Sequence, residues 1–270
     1  MRQNGRRTGR HGGASRARGV EGAPSGAVWL HGLHAVAAAL RNPRRRLRRL
    51  LATPEGEAAV ARAVGGPLPL QPERADPAAI AALLPPGAIH QGLALAADPL
   101  EPPSLEEALA ASDGPVLVLD QVTDPRNVGA ILRSAAAFGA SAVVVQDRHA
   151  PGETGAMARA AAGALERVPL IRVVNIARAI GTLKQAGLWV VGLDRDAPTT
   201  LAGAKLGDRR LALVLGAEDE GMRRLTREAC DELVRLPQTD AVESLNVSVA
   251  AAVALYALMA ERLERGEPER

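Results

Sequence analysis

The chain has 270 residues, 47% of them hydrophobic and 23% charged, which is room for one large or two ordinary domains with a core of their own. Its one cysteine, Cys230, excludes an internal disulfide and a cysteine-based metal site, and no uncharged apolar run reaches the roughly 18 residues of a membrane span. The net charge of +3 is divided unevenly: residues 1–50 hold 12 Arg, no Lys and one acid, Glu21, so they carry +11 and leave −8 for the rest.

Residues 1–26 are Arg, Gly and Ser with almost nothing apolar, which predicts a disordered tail. The lack of an apolar core there argues against a secretory signal; the Arg-rich, acid-poor start resembles an organelle transit peptide, but a cytoplasmic location is expected. Structure is expected from Val28-Trp29-Leu30. A helix follows over His34–Leu40, stopped before Asn42-Pro43. Arg44, Arg45, Arg46, Arg48 and Arg49 come next and lead into apolar Leu50-Leu51-Ala52. A cluster of this kind is the footprint of a polyanion partner, above all nucleic acid, and these five are expected to contact its phosphates; the tail from Arg2 to Arg18 could do the same or simply be solvated. A short helix at Ala78–Leu84 ends at Pro85-Pro86, and His90–Leu95 reads as a strand. Residues 27–97 thus form a small α/β unit, and 98–113, opening with three prolines, reads as a linker.

From Pro115 strand and helix patterns alternate, the signature of a mostly parallel sheet with covering helices. Strands are expected at Val116–Leu119, Ala142–Val145, Leu170–Val173, Trp189–Leu193, Leu211–Leu215 and Leu233–Leu236. Helices are expected at Asn127–Phe138, Gly155–Ala162, Ile176–Ala186, Met222–Ala229 and Ser244–Arg265. This second unit runs over 114–265, with 266–270 as a tail. The last helix is apolar on two sides: Leu245, Val249, Ala252, Tyr256, Met259 and Leu263 make one stripe, Val247, Ala250, Ala251, Ala254, Leu255 and Leu258 another. Such a helix belongs in a core or between subunits. Ser244 is placed to cap it, or to meet a ligand together with Asn246.

Two further loops could carry chemistry. Asn127 caps the helix after the first strand, while Arg133 falls off that helix's apolar stripe of Val128, Ile131, Leu132, Ala135 and Phe138. The strand Leu211–Leu215 runs into Gly216-Ala217-Glu218-Asp219-Glu220-Gly221-Met222. A Gly-rich turn between strand and helix can bring backbone close to a ligand. It is no P-loop, because Met222 stands where that motif needs Lys, and its three acids would repel a pyrophosphate. Its ligand should be positively charged or held by backbone. With only Trp29, Phe138, Trp189 and Tyr256 as aromatics, base-stacking platforms are not expected.

In order, N-x-G-x-x-x-R (Asn127, Gly129, Arg133), G-x-E-x-x-G (Gly216, Glu218, Gly221) and S-L-N (Ser244, Leu245, Asn246) resemble the motifs of the SpoU (TrmH-type) family, RNA ribose 2′-O-methyltransferases of the SPOUT superfamily. The stretch from Ala162 to Pro169 is similar too. The resemblance implies an α/β-knot, a mostly parallel sheet with a deep C-terminal trefoil knot, and S-adenosyl-L-methionine as methyl donor. Leu215, Gly216, Gly221, Leu236 and Leu245 would line its cleft. Arg133 is implied as base or base-partner; a guanidinium that stays protonated suits binding the target phosphate or stabilising the forming alkoxide equally well. Asn127, Ser244 and Asn246 would orient Arg133 and the ribose, and Glu218 would hold the cleft loop or a donor group. Gln238 and Asp219 depart from residues common in the family and affect cleft detail. Gly32 to Val36 and His90-Gln91-Gly92 resemble the L30e-like substrate-binding domain of the subgroup that methylates large-subunit ribosomal RNA. The resemblance therefore implies 23S ribosomal RNA as substrate, a guanosine as target, a homodimer, and neither membrane nor metal. Transfer RNA is the alternative substrate, and a catalytically silent RNA-binding or ribosome-assembly protein the alternative class.

Overall fold

The computed structural model describes residues 24–239 and 241–265. The tail expected to be disordered falls almost wholly outside this range, as do residues 266–270.

The first unit runs β1 (Val28–His31), α1 (Leu33–Arg41), β2 (Leu47–Ala52), α2 (Pro54–Val64), β3 (Glu73–Arg74), α3 (Pro77–Ala81) and β4 (Leu93–Ala97). Its sheet has the order β1-β4-β2-β3, with β4 antiparallel to both β1 and β2. Helix α2 was not foreseen. Thr53 caps it by accepting from the Gly56 N–H, Pro54 fills its first turn, and left-handed Gly65 ends it. The strand expected over His90–Leu95 starts only at Leu93. Gln91 and Gly92 have positive φ, and the Gly92 N–H donates to His90 Nδ1 at 3.1 Å, so a tight turn occupies the first half of the stretch.

The stretch expected to be linker holds a helix, α4 (Leu105–Ala111), opened by a capping box in which Ser104 and Glu107 satisfy each other's backbone N–H groups. Leu105, Ala108 and Leu109 are buried, so α4 is part of the second core; only 98–103 is extended.

The second unit continues β5 (Val116–Leu119), α5 (Pro125–Ala137), β6 (Ala142–Gln146), α6 (Gly155–Ala161), β7 (Leu170–Val173), α7 (Ile176–Gln185), β8 (Trp189–Leu193), β9 (Thr199–Thr200), β10 (Leu211–Leu215), α8 (Arg224–Ala229), β11 (Glu232–Arg235) and α9 (Val247–Glu264). All its strand pairs are parallel, in the order β7-β6-β5-β10-β8-β11-β9. Central strands such as Val116–Leu119 are apolar at every position because both faces are covered. Leu117, Leu119, Val143, Val145, Leu213 and Leu215 face α5, α6 and α9, whereas Val116, Val118, Val144, Val190 and Val214 face α4 and α7. The first of these layers is continuous with Leu30, Val36 and Leu95, so the two units share a core.

Helix α9 begins at Val247, not Ser244. Asn246 is the cap, its Oδ1 accepting from the Ser248 N–H at 3.0 Å. One of the two expected stripes is in the core, with Val247, Ala251, Ala254 and Leu255 buried; on the other, Val249 and Tyr256 are exposed. The segment leading to α9 touches the 194–210 segment, where Arg195 Nη1 donates to the Glu243 carbonyl at 2.6 Å, and Arg262 within α9 reaches the Arg209 carbonyl at 3.4 Å.

Candidate functional site

Three loops at the carboxyl ends of the parallel strands meet at one carboxylate. Glu218, in the loop after β10, accepts at Oε1 from Asn127 Nδ2 (3.0 Å), Asn246 Nδ2 (2.6 Å) and the Val247 N–H (3.3 Å). Asn246 Nδ2 also donates to Asn127 Oδ1 at 3.1 Å. Asn246 Oδ1 in turn accepts from Ser248 Oγ at 2.6 Å, which fixes the amide's orientation. The Glu218 carboxylate thus lies at the N-terminus of α9, where a negative charge is favoured by the free N–H groups.

Beside this cluster lies a cavity of about 440 Å³. Leu215, Gly216, Gly221, Leu236 and Leu245 line it, as do Ser244, Gln238 and the acidic residues Asp194, Asp196, Glu218, Asp219, Glu220 and Glu243. Arg195 is the one basic residue in the lining. Its volume is typical of small-ligand sites, and its charge suits a cation. The floor is a tight hairpin: Ala217 and Gly221 exchange backbone hydrogen bonds of 3.1 and 2.9 Å. Gly216 is required by that hairpin, since a Cβ there would fall 2.1 Å from the Gly221 carbonyl carbon.

These three loops lie within residues 114–256, which match the SpoU rRNA methylase family. The chain belongs to that family. Two relatives are 23S rRNA (guanosine-2′-O-)-methyltransferases RlmB: the protein of a Burkholderia species is 50% identical over 65% of this chain and 72% of its own length, and that of Vibrio vulnificus 46% identical over 66% and 73%. Among solved structures, the SpoU methyltransferase AviRb from Streptomyces viridochromogenes, in complex with the cofactor AdoMet, superposes with a TM-score of 0.74 at 22% identity. That match covers 88% of this chain and 91% of AviRb, and shows that the fold is that of the SpoU methyltransferases.

The family motif N-x-G-x-x-x-R divides its labour among three residues. Asn127 does not cap α5, whose cap is Asp124, accepting from the Arg126 N–H at 2.8 Å; from the first turn of the helix it joins the Glu218 cluster. Gly129 lets α5 and α6 touch, for a Cβ there would meet the Met157 carbonyl oxygen at 2.4 Å. Arg133 is exposed, and its side chain makes no hydrogen bond or ion pair among the described residues. The expected orienting contacts from Asn127, Ser244 and Asn246 to Arg133 are therefore not made; the two asparagines bind Glu218, and Ser244 lies exposed in the cavity lining.

The five arginines proposed for phosphate contact separate by environment. Arg45 is fully buried, with Nη1 on Glu153 at 2.6 Å, Nε on Glu166 at 3.1 Å and Nη1 on the Asp98 carbonyl at 2.9 Å. Burial alone would lower the pKa of its guanidinium, but Glu166 and Glu153 outweigh burial and raise it. Burial pushes the Glu153 carboxyl up, against the pull of Arg45 and the Leu100 N–H. This buried group joins the two units and leaves Arg45 no access to a phosphate in solvent, which corrects its place in the set. Arg48 forms a two-point pair with Asp98, and Arg49 pairs with Glu73. Arg44 and Arg46 remain exposed, Arg46 only 3.8 Å from Asp98.

Two residues at the site went unread in the sequence. Asp120, next after β5, is wholly buried and paired with Arg223, which follows the Gly216–Met222 loop. An acid closing a run of four apolar strand residues was the available signal. Cys230 offers no nucleophile, because burial pushes its thiol up to about 12.

Proposed function

We propose that the chain transfers a methyl group from S-adenosylmethionine to the ribose 2′-hydroxyl of a guanosine in 23S ribosomal RNA. The observation that carries this reading is the meeting of Asn127, Glu218 and Asn246 beside an acid-lined cavity of about 440 Å³. The lining fits the cofactor: of its six acidic residues Asp194 is paired with Arg227 and Glu218 is held by the asparagines, and the excess of acids over the single arginine suits a ligand bearing sulfonium and ammonium groups. Leu215, Gly216, Gly221, Leu236 and Leu245 would hold it. When bound, it supplies an electrophilic methyl group.

The chain's own work is to place the ribose and manage charge. A ribose hydroxyl is a weak nucleophile, so in-line placement and relief of its proton decide the rate. Arg133 would hold the target phosphate and the developing oxyanion; a guanidinium is a poor base, so the hydroxyl proton would pass to solvent as the methyl–oxygen bond forms and S-adenosylhomocysteine departs. Asn127 and Asn246, locked by Glu218, keep the loops in register. The first unit, resembling an L30e-like domain, delivers RNA, with exposed Arg44 and Arg46 as its phosphate contacts. The exposed stripe of α9 is the seam of a homodimer, and the protein works in the cytoplasm, where ribosomal RNA is modified. Support for the RNA substrate is the curated relatives' identity of 46–50%.

Mapping 2′-O-methyl groups in RNA from cells with and without the protein tests the reading. One guanosine of 23S ribosomal RNA should lose its methyl group on deletion and regain it with the gene restored. Unchanged 23S methylation, or a loss confined to transfer RNA, would reject it.

A further inference from the structure

We propose that Asp120 is a positioning residue for the cofactor loop, acting through Arg223; this rests on the reading of the cavity as the S-adenosylmethionine cleft. Asp120 is a charged residue with no exposed surface, a placement that is costly unless its partners are well aligned. They are: its Oδ2 accepts from the Arg223 N–H at 2.9 Å, and its Oδ1 from Arg223 Nε at 2.8 Å and Nη2 at 2.6 Å. Its own N–H donates to the Leu215 carbonyl at 2.8 Å.

The position of these bonds in the chain gives them their meaning. The cleft loop leaves the sheet after Leu215 and ends at Arg223. One residue therefore grips both ends of the loop, by its backbone at the start and by its side chain at the finish. Between them stand the Ala217–Gly221 hairpin and Glu218. The next residue, Gln121, takes a left-handed conformation (φ 63°) and points Nε2 at Glu220 Oε2, 3.4 Å away. That backbone cost at a non-glycine is accepted where the chain turns toward the loop. Arg223 itself is more than a third exposed, so the pair does not exist to fill the core.

The rival account is that Asp120 only satisfies the N–H ahead of the short helix α8. The two separate in experiment, using the full chain with Asp120→Asn, Arg223→Gln, Arg223→Lys and the Asp120→Asn/Arg223→Gln double variant. S-adenosylmethionine binding is measured by calorimetry, binding of a 23S ribosomal RNA fragment by filter retention, and hydrogen exchange at residues 217–221 without ligand. The Asn variant should bind the cofactor about tenfold more weakly, the equivalent of one lost charge-assisted hydrogen bond. The Gln variant should match it, the double variant should be no worse than either, and Lys should recover part of the loss. RNA affinity should not change, and exchange at 217–221 should quicken. Cofactor affinity and loop exchange at wild-type levels would overturn the proposal, whatever happens to the melting temperature. Additive losses in the double variant would also overturn it, because Asp120 would then not act through Arg223. If the wild-type protein binds no S-adenosylmethionine, the functional reading fails, and loop exchange alone then decides for or against the positioning role.

Discussion

Most guanidinium groups around the site have a carboxylate: Arg223 has Asp120, Arg227 has Asp194, and Arg126 has Asp124. Arg133, among the described residues, has none. A solvated, unpaired arginine on a rigid helix contributes little to stability, so its replacement should be silent in folding and visible only in turnover. Arg133→Ala is expected to lower kcat by about 100-fold or more, as loss of a preorganised charge at a developing oxyanion does, with melting temperature and cofactor affinity unchanged. Steady-state methyl transfer at saturating S-adenosylmethionine measures this, and wild-type turnover would remove Arg133 from the mechanism. Arg133→Lys separates two roles: a point charge suffices for a phosphate, whereas a planar fork does not survive the change.

Among the elements, the segment between α1 and β2 carries the sharpest consequence. Arg45 lies between Glu153 and Glu166, all three in the seam between the two units. Arg45→Met would leave two acids buried without their cation, a change that costs about 3–5 kcal/mol. Urea denaturation should show that loss at neutral pH and a smaller one in acid. The reason is the sign of the Glu153 shift. Its folded pKa is raised by burial, so its contribution is full below the ordinary carboxylate range and is lost as pH rises through the folded value; Arg45 holds that value down, so without it the loss extends to higher pH and grows. A pH-independent loss would show that the carboxylates are not the cause. The same segment shows what a sequence can display. A run of arginines was legible as charge, but acids more than a hundred residues away decide which of them is buried. The parallel strands were legible almost to the residue, because buried strands are continuous apolar runs with turn residues at either end. Helix α2 hid behind Gly56 and its acids, and α4 behind the prolines before Ser104, though Ser104 and Glu107 spell a helix start. The three motifs could be read singly, but not the fact that Glu218 is the atom-level meeting point of the other two.

At the scale of the whole molecule, the last helix leaves a continuous apolar stripe exposed among the described residues. Val249, Val253, Tyr256 and Leu263 lie on one face of α9, and Tyr256 is 60% exposed although its ring is already held edge-on by Phe138, 6.1 Å between centroids. Spacings of four, three and seven residues keep all four on one stripe, so the face is continuous along the helix. The opposite face is committed to the core, and α9 cannot turn to hide the first without exposing the second. The homodimer proposed above would cover this stripe with a second copy, in a twofold interface that buries the same residues on both sides. Sedimentation velocity should therefore give a particle of twice the 28.0 kDa chain mass at micromolar concentration. Val253→Glu should convert it to the monomer, since a charge desolvated against its own symmetry mate has no counterion, while circular dichroism keeps the helix intact. A wild-type monomer at tens of micromolar, or a Val253→Glu protein that still sediments as a dimer, would place the subunit contact elsewhere and leave the stripe for another partner.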